Sequence, residues 1–201
     1  MNGDLLRDAI VSAKGLANDV AAELDGVDLA ADDKTQVAAA LFFVVLDHHV
    51  GIIKLVEGRL HAPAMALLRP QWDSFLRGMW YSHVASAEES GEFRGGGKAP
   101  KPERIIKALE NADIAAPGSL SSTHAQTWDI LCDYAHSGSR QVNSHLSGDA
   151  VERTCSDSDL AGILKVASYH VLPAAFGVAE LAGRMALVQR LFEIGRKHRC
   201  L

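Results

Sequence analysis

The stretch DDKTQVAAALFFVVLDHHVGIIKLVEGRL, Asp32 to Leu60, decides the fold class. Asp32 or Asp33 opens it, and a short acid there accepts hydrogen bonds from the free N–H groups of a first helical turn. From Val37 to Leu46 every residue is apolar, so a helix over this stretch is greasy on nearly every side in its first half. Such a helix belongs in the centre of a protein with neighbours all round. The unbroken apolar run is ten residues, closed by Asp47-His48-His49, against the roughly 20 a bilayer needs. The run therefore predicts a buried helix and no membrane segment.

Working outward, helical spacing persists and no segment alternates with period two. Leu6, Ile10, Ala13, Ala17, Val20 and Leu24 recur at three and four residues, predicting a helix over 4–24 that stops near Asp25-Gly26. Pro63 is placed at the start of a third helix, about 63–87, with Pro70 inside it as a kink. Ser90 to Pro102, SGEFRGGGKAPKP, predicts a mobile loop over 90–102. Helices are expected over about 103–112 and 120–136, then an irregular segment over 137–155. Ser156 with Asp159 is a capping-box start for a helix to about Gly183, bent at Pro173, before a last helix over 184–199. The expectation is an all-α protein, an antiparallel bundle of six to seven helices forming a single domain over 1–201.

Composition narrows the function classes. The formal net charge is −5, with acids concentrated in the first 33 residues and the remainder nearly balanced. No polybasic footprint for long nucleic acid exists. The basic turn Arg196-Lys197-His198-Arg199 is what a helix C-terminus favours. Cys132, Cys155 and Cys200 are odd in number and far apart, without a CxxC pair. That suits a reducing cytosol better than a disulfide framework. MNGDLLRD has no basic region ahead of an apolar stretch, so no signal peptide is expected and the protein is placed in the cytoplasm.

Two constellations could carry chemistry. In LLRPQWDSFLRGMWYSH, Leu67 to His83, Arg69, Asp73 and Arg77 stand four apart, each a helical neighbour of the next. Trp80 returns to within about 20° of Arg69 on a helical wheel, so the charged ladder borders an apolar face. It reads as a structural ion network or as an anion pocket, because a guanidinium fork matches phosphate or carboxylate. In DILCDYAHSGSRQVNSHLSG, Asp129 to Gly148, Asp133 and His136 are three apart, spaced for a carboxylate to orient an imidazole. Arg140 and His145 are five apart, about 140° on a continuous helix; a bend, or a second chain, would be needed to bring them together. If they met, the imidazole would take a 2′-hydroxyl proton and the guanidinium would stabilise a phosphorane. The alternative is that both are surface or loop residues.

No metal site and no cofactor are expected. His48 and His49 point about 100° apart on a helix, Glu57 and His61 lack the companions of a zinc motif, and Gly95-Gly96-Gly97-Lys98 lacks the strand and the Ser/Thr of a phosphate loop.

The blocks ALLRPQWDSFLRGMWYSHVAS (66–86) and YAHSGSRQV (134–142) resemble a bacterial all-helical family of unknown function grouped near the HEPN (higher eukaryotes and prokaryotes nucleotide-binding) proteins. The first is similar to that family's arginine-proline helix, with Asp73 where Glu is usual, and the second to its Tyr-x-His-x-Gly-x-x-Gln block. The resemblance covers about residues 40–190 and implies a HEPN-like helical bundle that dimerises. It also implies an R-x4–6-H pair, here Arg140 and His145, of a metal-independent ribonuclease acting as a toxin or in phage defence, alongside a cognate antitoxin. The resemblance also points to Arg69, Arg77, His136 and Gln141 as a shared site of unassigned purpose, which in a binding module would take a nucleotide or other anion. Three readings stay open: a ribonuclease, a non-catalytic nucleotide- or anion-binding module, and a structural homodimer.

Overall fold

The computed structural model describes residues 2–152 and 154–199; Cys200 lies outside the described residues, and Cys132 and Cys155 are free thiols. The chain is all-α apart from one tiny hairpin. Its helices are α1 (Asn2–Leu24), α2 (Asp33–Glu57), α3 (His61–His83), α4 (Ala87–Arg94), α5 (Pro102–Asn111), α6 (Ser119–Ala135) and α7 (Ser139–Asn143), then α8 (Asp157–Ser168), α9 (Val171–Leu181) and α10 (Met185–Lys197). Strands β1 (Leu146–Ser147) and β2 (Ala150–Val151) pair antiparallel between α7 and α8.

The helix that decided the fold class takes the central place. Asp32 caps α2, its side chain accepting from Thr35 N at 3.0 Å. A tight connection, with Arg59 at φ 56°, returns the chain as α3, and these two helices share the most extensive packing in the molecule. α9 lies against α2, α1 against α8 and α2, and α6 and α5 against α3. Phe42 sits fully buried where α2, α3 and α9 converge. A Cβ at Gly78 on α3 would lie 2.7 Å from its ring, and one at Gly177 on α9 would lie 2.4 Å from it. Two glycines thus make the notch that lets three helices close on one aromatic side chain.

The expected six to seven helices are ten among the described residues, because several are short turns between the long ones, and two boundaries shift. The mobile loop over 90–102 begins inside a helix: Ser86 and Glu89 form a capping box that starts α4. The segment over 137–155 holds only the short helical turn α7, and in addition an unexpected β hairpin, turned at Gly148 with φ 57°. The bend expected at Pro173 falls at Tyr169-His170, between α8 and α9, so Pro173 sits in the first turn of α9 where its missing N–H costs nothing. By length and composition, α2 and the α8–α9 stretch Asp157–Leu181 are apolar enough to cross a membrane. The ten-residue count missed this because Ile52, Ile53 and Val56 resume the apolar face beyond Asp47. In the fold that face is packed inside the protein, as in a core helix.

Candidate functional site

Where α6 ends, the chain turns on itself. The His136 N–H still bonds to Cys132 O at 3.0 Å, then Ser137 enters the left-handed region at φ 55°. Asp133, spaced to orient His136, turns instead to the next helix: its Oδ2 accepts the backbone N–H of Arg140 at 2.6 Å. Gly138 is seated so tightly that a Cβ there would lie 2.1 Å from Asp133 Oδ1. The carboxylate therefore pins α7 at a fixed angle to α6. That turn leaves the Arg140 side chain exposed, with no described partner on its guanidinium.

One turn further on, the His145 ring is held by three groups. Its ring stacks on buried His61 of α3, centroids 4.9 Å apart and planes 30° apart. Its Nδ1 lies 3.2 Å from Gln141 O and 3.3 Å from Ser144 Oγ. Ser144 Oγ in turn donates to Gln141 O at 2.7 Å and contacts His61 Nε2 at 3.0 Å. A carbonyl oxygen only accepts, so each group that bonds to Gln141 O must donate to it. Ser144 gives its single hydroxyl proton to Gln141, so His61 Nε2 must donate to Ser144. His145 Nδ1 must likewise carry a proton. His145 Nε2 is then the basic nitrogen, and no described group bonds to it.

The second constellation assembles between α3 and α6. The Arg69 guanidinium lies over the Trp128 ring, 4.7 Å from its centroid, and Nη1 contacts exposed His136 Nε2. Among the described residues no ion pair joins Asp73 to Arg69 or Arg77, so the expected ladder is replaced by contacts across to α6. Asp73 Oδ1 is sealed without a hydrogen-bond partner. Burial pushes its carboxyl upward, with Arg77 and then Arg69 pulling it back down. Arg77 is half-buried and contributes through that field. Trp72 Nε1 donates to His124 Nδ1 at 3.5 Å, and the His124 ring packs tilted against Trp128, centroids 4.5 Å apart, which braces the aromatic platform under Arg69. Gln141 keeps its amide Oε1 buried and unpartnered.

A half-open cavity of about 480 Å³ adjoins His61, walled by Met65, Leu68, Tyr134, Asp159 and Val166. The Tyr134 phenol is pushed up, mainly by burial, with Cys155 and Asp159 adding and Arg140 opposing. Arg140 thus bears electrostatically on one wall of this cavity, and His61 connects another wall to His145. No described contact joins Arg140 to His145 within the chain.

The structure brings together Arg69 with His136, and His145 with Gln141 through its main-chain oxygen. His61, Ser144 and Trp128 completed these groups without a sequence signal. His61 and Trp128 come from elements distant from the groups they complete, and Ser144, although next to His145, acts through the turn that ends α7; spacing along one helix encodes neither. Glu57, the other half of the Glu57–His61 pair considered for a metal, bonds to Lys14 at 2.7 Å. Among the described residues no group of three or more His, Cys, Asp and Glu side chains is placed to hold a metal ion.

A family model described as "Family of unknown function (DUF6988)" matches residues 42–201. Neither a curated protein nor a solved structure matches the chain.

Proposed function

Since the chain belongs to the DUF6988 family, whose description assigns no activity, we propose from the site and the sequence resemblance together that the protein is a HEPN-like, metal-independent ribonuclease. His145 is its general base and Arg140 its phosphate-stabilising cation. The observation that carries this reading is the proton arrangement at His145, whose Nδ1 is committed to Gln141 O and Ser144 Oγ while Nε2 is left unbonded. Orientation of an imidazole through one nitrogen is how a base is readied at the other. In the reaction, Nε2 removes the 2′-hydroxyl proton and the 2′-oxygen attacks phosphorus. The P–O5′ bond breaks to leave a 2′,3′-cyclic phosphate, and the imidazolium returns its proton to the 5′-oxygen. Arg140 neutralises charge building on the phosphorane.

A two-fold homodimer would supply Arg140 from one chain and His145 from the other. The family resemblance extends the reading to a toxin or phage-defence component held by an antitoxin. The test is cleavage of single-stranded and structured RNAs in the presence of EDTA. Arg140→Ala and His145→Ala are each expected to lose on the order of 100-fold or more in rate. If the site is composite, mixing the two inactive variants restores part of the activity. Protein that leaves every RNA intact and does not slow growth when overproduced dismisses the proposal.

A second reading is favoured by the Arg69–Trp128–His136 arrangement, an aromatic face beside cationic and imidazole donors. Here Arg69, Arg77, His136 and Gln141 bind a nucleotide or other phosphorylated anion without cleaving it. A ligand at 100 times its dissociation constant should add about 2.7 kcal/mol of stability. Silence in a thermal-shift screen of nucleotides rejects it.

A further inference from the structure

Between α3, α6 and the α8–α9 bend lies a second cavity of about 320 Å³. That is at the small end of the range of about 300–1,000 Å³ in which small-molecule sites fall. Its floor is buried and apolar, made by Leu68, Trp72 and Leu131, while exposed Val166 and Tyr169 stand at its mouth. It shares Leu68 and Val166 with the 480 Å³ cavity but none of that cavity's acidic or hydroxyl-bearing residues.

His170 is the polar group of the inner wall. Its ring is held against Trp72, centroids 5.3 Å apart, and Phe75, 5.5 Å apart. Nδ1 is sealed and has no hydrogen-bond partner among the described residues, and no described group bonds to Nε2 either. A sealed N–H without an acceptor is rarer in proteins than an acceptor with an idle lone pair. The imidazole proton therefore belongs on Nε2, the nitrogen that is not sealed. The threonine hydroxyls of the lining are already committed: Thr123 Oγ1 donates to Ser119 O at 2.9 Å and Thr127 Oγ1 to Thr123 O at 2.8 Å. Burial also holds this imidazole neutral, with its pKa lowered to about 4. An anion would find no counter-charge here, and a charged ligand would be desolvated without return.

We infer that this cavity binds a neutral, largely apolar molecule of one or two rings that presents a single hydrogen-bond acceptor to His170 Nε2–H. The site is independent of the ribonuclease reading and of the arginines.

Two ligands of nearly equal shape test it: acetophenone, with a carbonyl oxygen, and α-methylstyrene, with a methylene in its place. Binding is followed in amide and indole N–H spectra through the Trp72 indole, with the His170 ring N–H observed in parallel. Acetophenone should bind at least about tenfold more tightly, because a site that hydrogen-bonds its ligand rejects the isostere lacking the group. It alone should move the His170 N–H resonance. In His170→Phe the preference should vanish, and Leu131→Trp, which fills the floor, should block both ligands. Failure of both ligands to bind the native protein, equal affinity for the two, or a preference surviving in His170→Phe overturns the inference. If His170→Phe does not fold, the native-protein comparison and the His170 resonance still decide.

Discussion

A histidine nitrogen that faces a carbonyl oxygen has no choice but to donate, and this constraint makes the candidate site testable without any substrate. With Ser144 Oγ donating to Gln141 O, the geometry puts the proton of His145 on Nδ1 and that of His61 on Nε2. At His136 the neighbour is a guanidinium, which only donates, so Nε2 accepts and the proton sits on Nδ1. Nitrogen-15 chemical shifts of the imidazoles should report these three tautomers near pH 8. A spectrum with His145 protonated at Nε2 would remove its basic nitrogen and with it the cleavage mechanism. Local devices at this scale were legible in the sequence. Ser156 and Asp159 form their capping box because both partners lie within one turn. Asp133 reads from its spacing as the partner of the His136 imidazole, and its carboxylate instead accepts from Arg140. The left-handed residue at Ser137 decides that the donor is the Arg140 N–H, and spacing does not encode that turn.

Between elements, the tightest constraint is the meeting of α2, α3 and α9 at Phe42. Adding one methyl at Gly177 or Gly78 forces a ring that has nowhere to retreat, since Phe42 is fully buried. Overpacking of this kind costs typically about 1–3 kcal/mol. Gly177→Ala should lower the urea midpoint accordingly, and Phe42→Leu in the same chain should recover part of the loss, because the two substitutions share one contact. Additive losses would show that the ring is not the obstacle. The central position of α2 was readable from its apolar surface, although neighbours do not surround it, since Phe43, Val44 and Val50 are exposed. The role of the two glycines was not readable, because a notch is defined by the side chain that fills it. The α4 helix was readable in principle from Ser86-x-x-Glu89, but the three glycines that follow drew the boundary too early. Proline placement has a common logic: Pro63, Pro102 and Pro173 all lie in first turns, where the backbone N–H has no helical partner.

For the molecule as a whole, the ion pairs joining α1 to its neighbours contribute little. Lys14–Glu57, Arg190–Glu23 and Lys197–Asp19 are all partly exposed, and such pairs are worth roughly 0–1 kcal/mol each. The larger response to acid comes from two histidines in the interior, with His48 lowered by burial in the same sense. His49, bonded through Nε2 to Ser168 Oγ at 3.0 Å, and His170 both have pKa values lowered from 6.5 to about 4. Burial is the first cause in each, and at His49 the neighbouring His170 adds to it. The unfolded chain therefore binds more protons than the folded one below pH 6.5, and stability falls as pH drops from there towards 4. Each group accounts for up to about 3 kcal/mol across that interval, and their mutual repulsion keeps the two from titrating independently. Carboxylates whose pKa values are lowered by hydrogen bonds, such as Asp19 and Asp159, begin to matter only nearer their ordinary value of 3.8. Asp73, raised by burial, works in the opposite sense. Urea midpoints should thus drop steadily between pH 6.5 and 4.5, and His170→Phe should flatten that slope. A midpoint independent of pH over this window would mean that neither imidazole is held neutral by the fold.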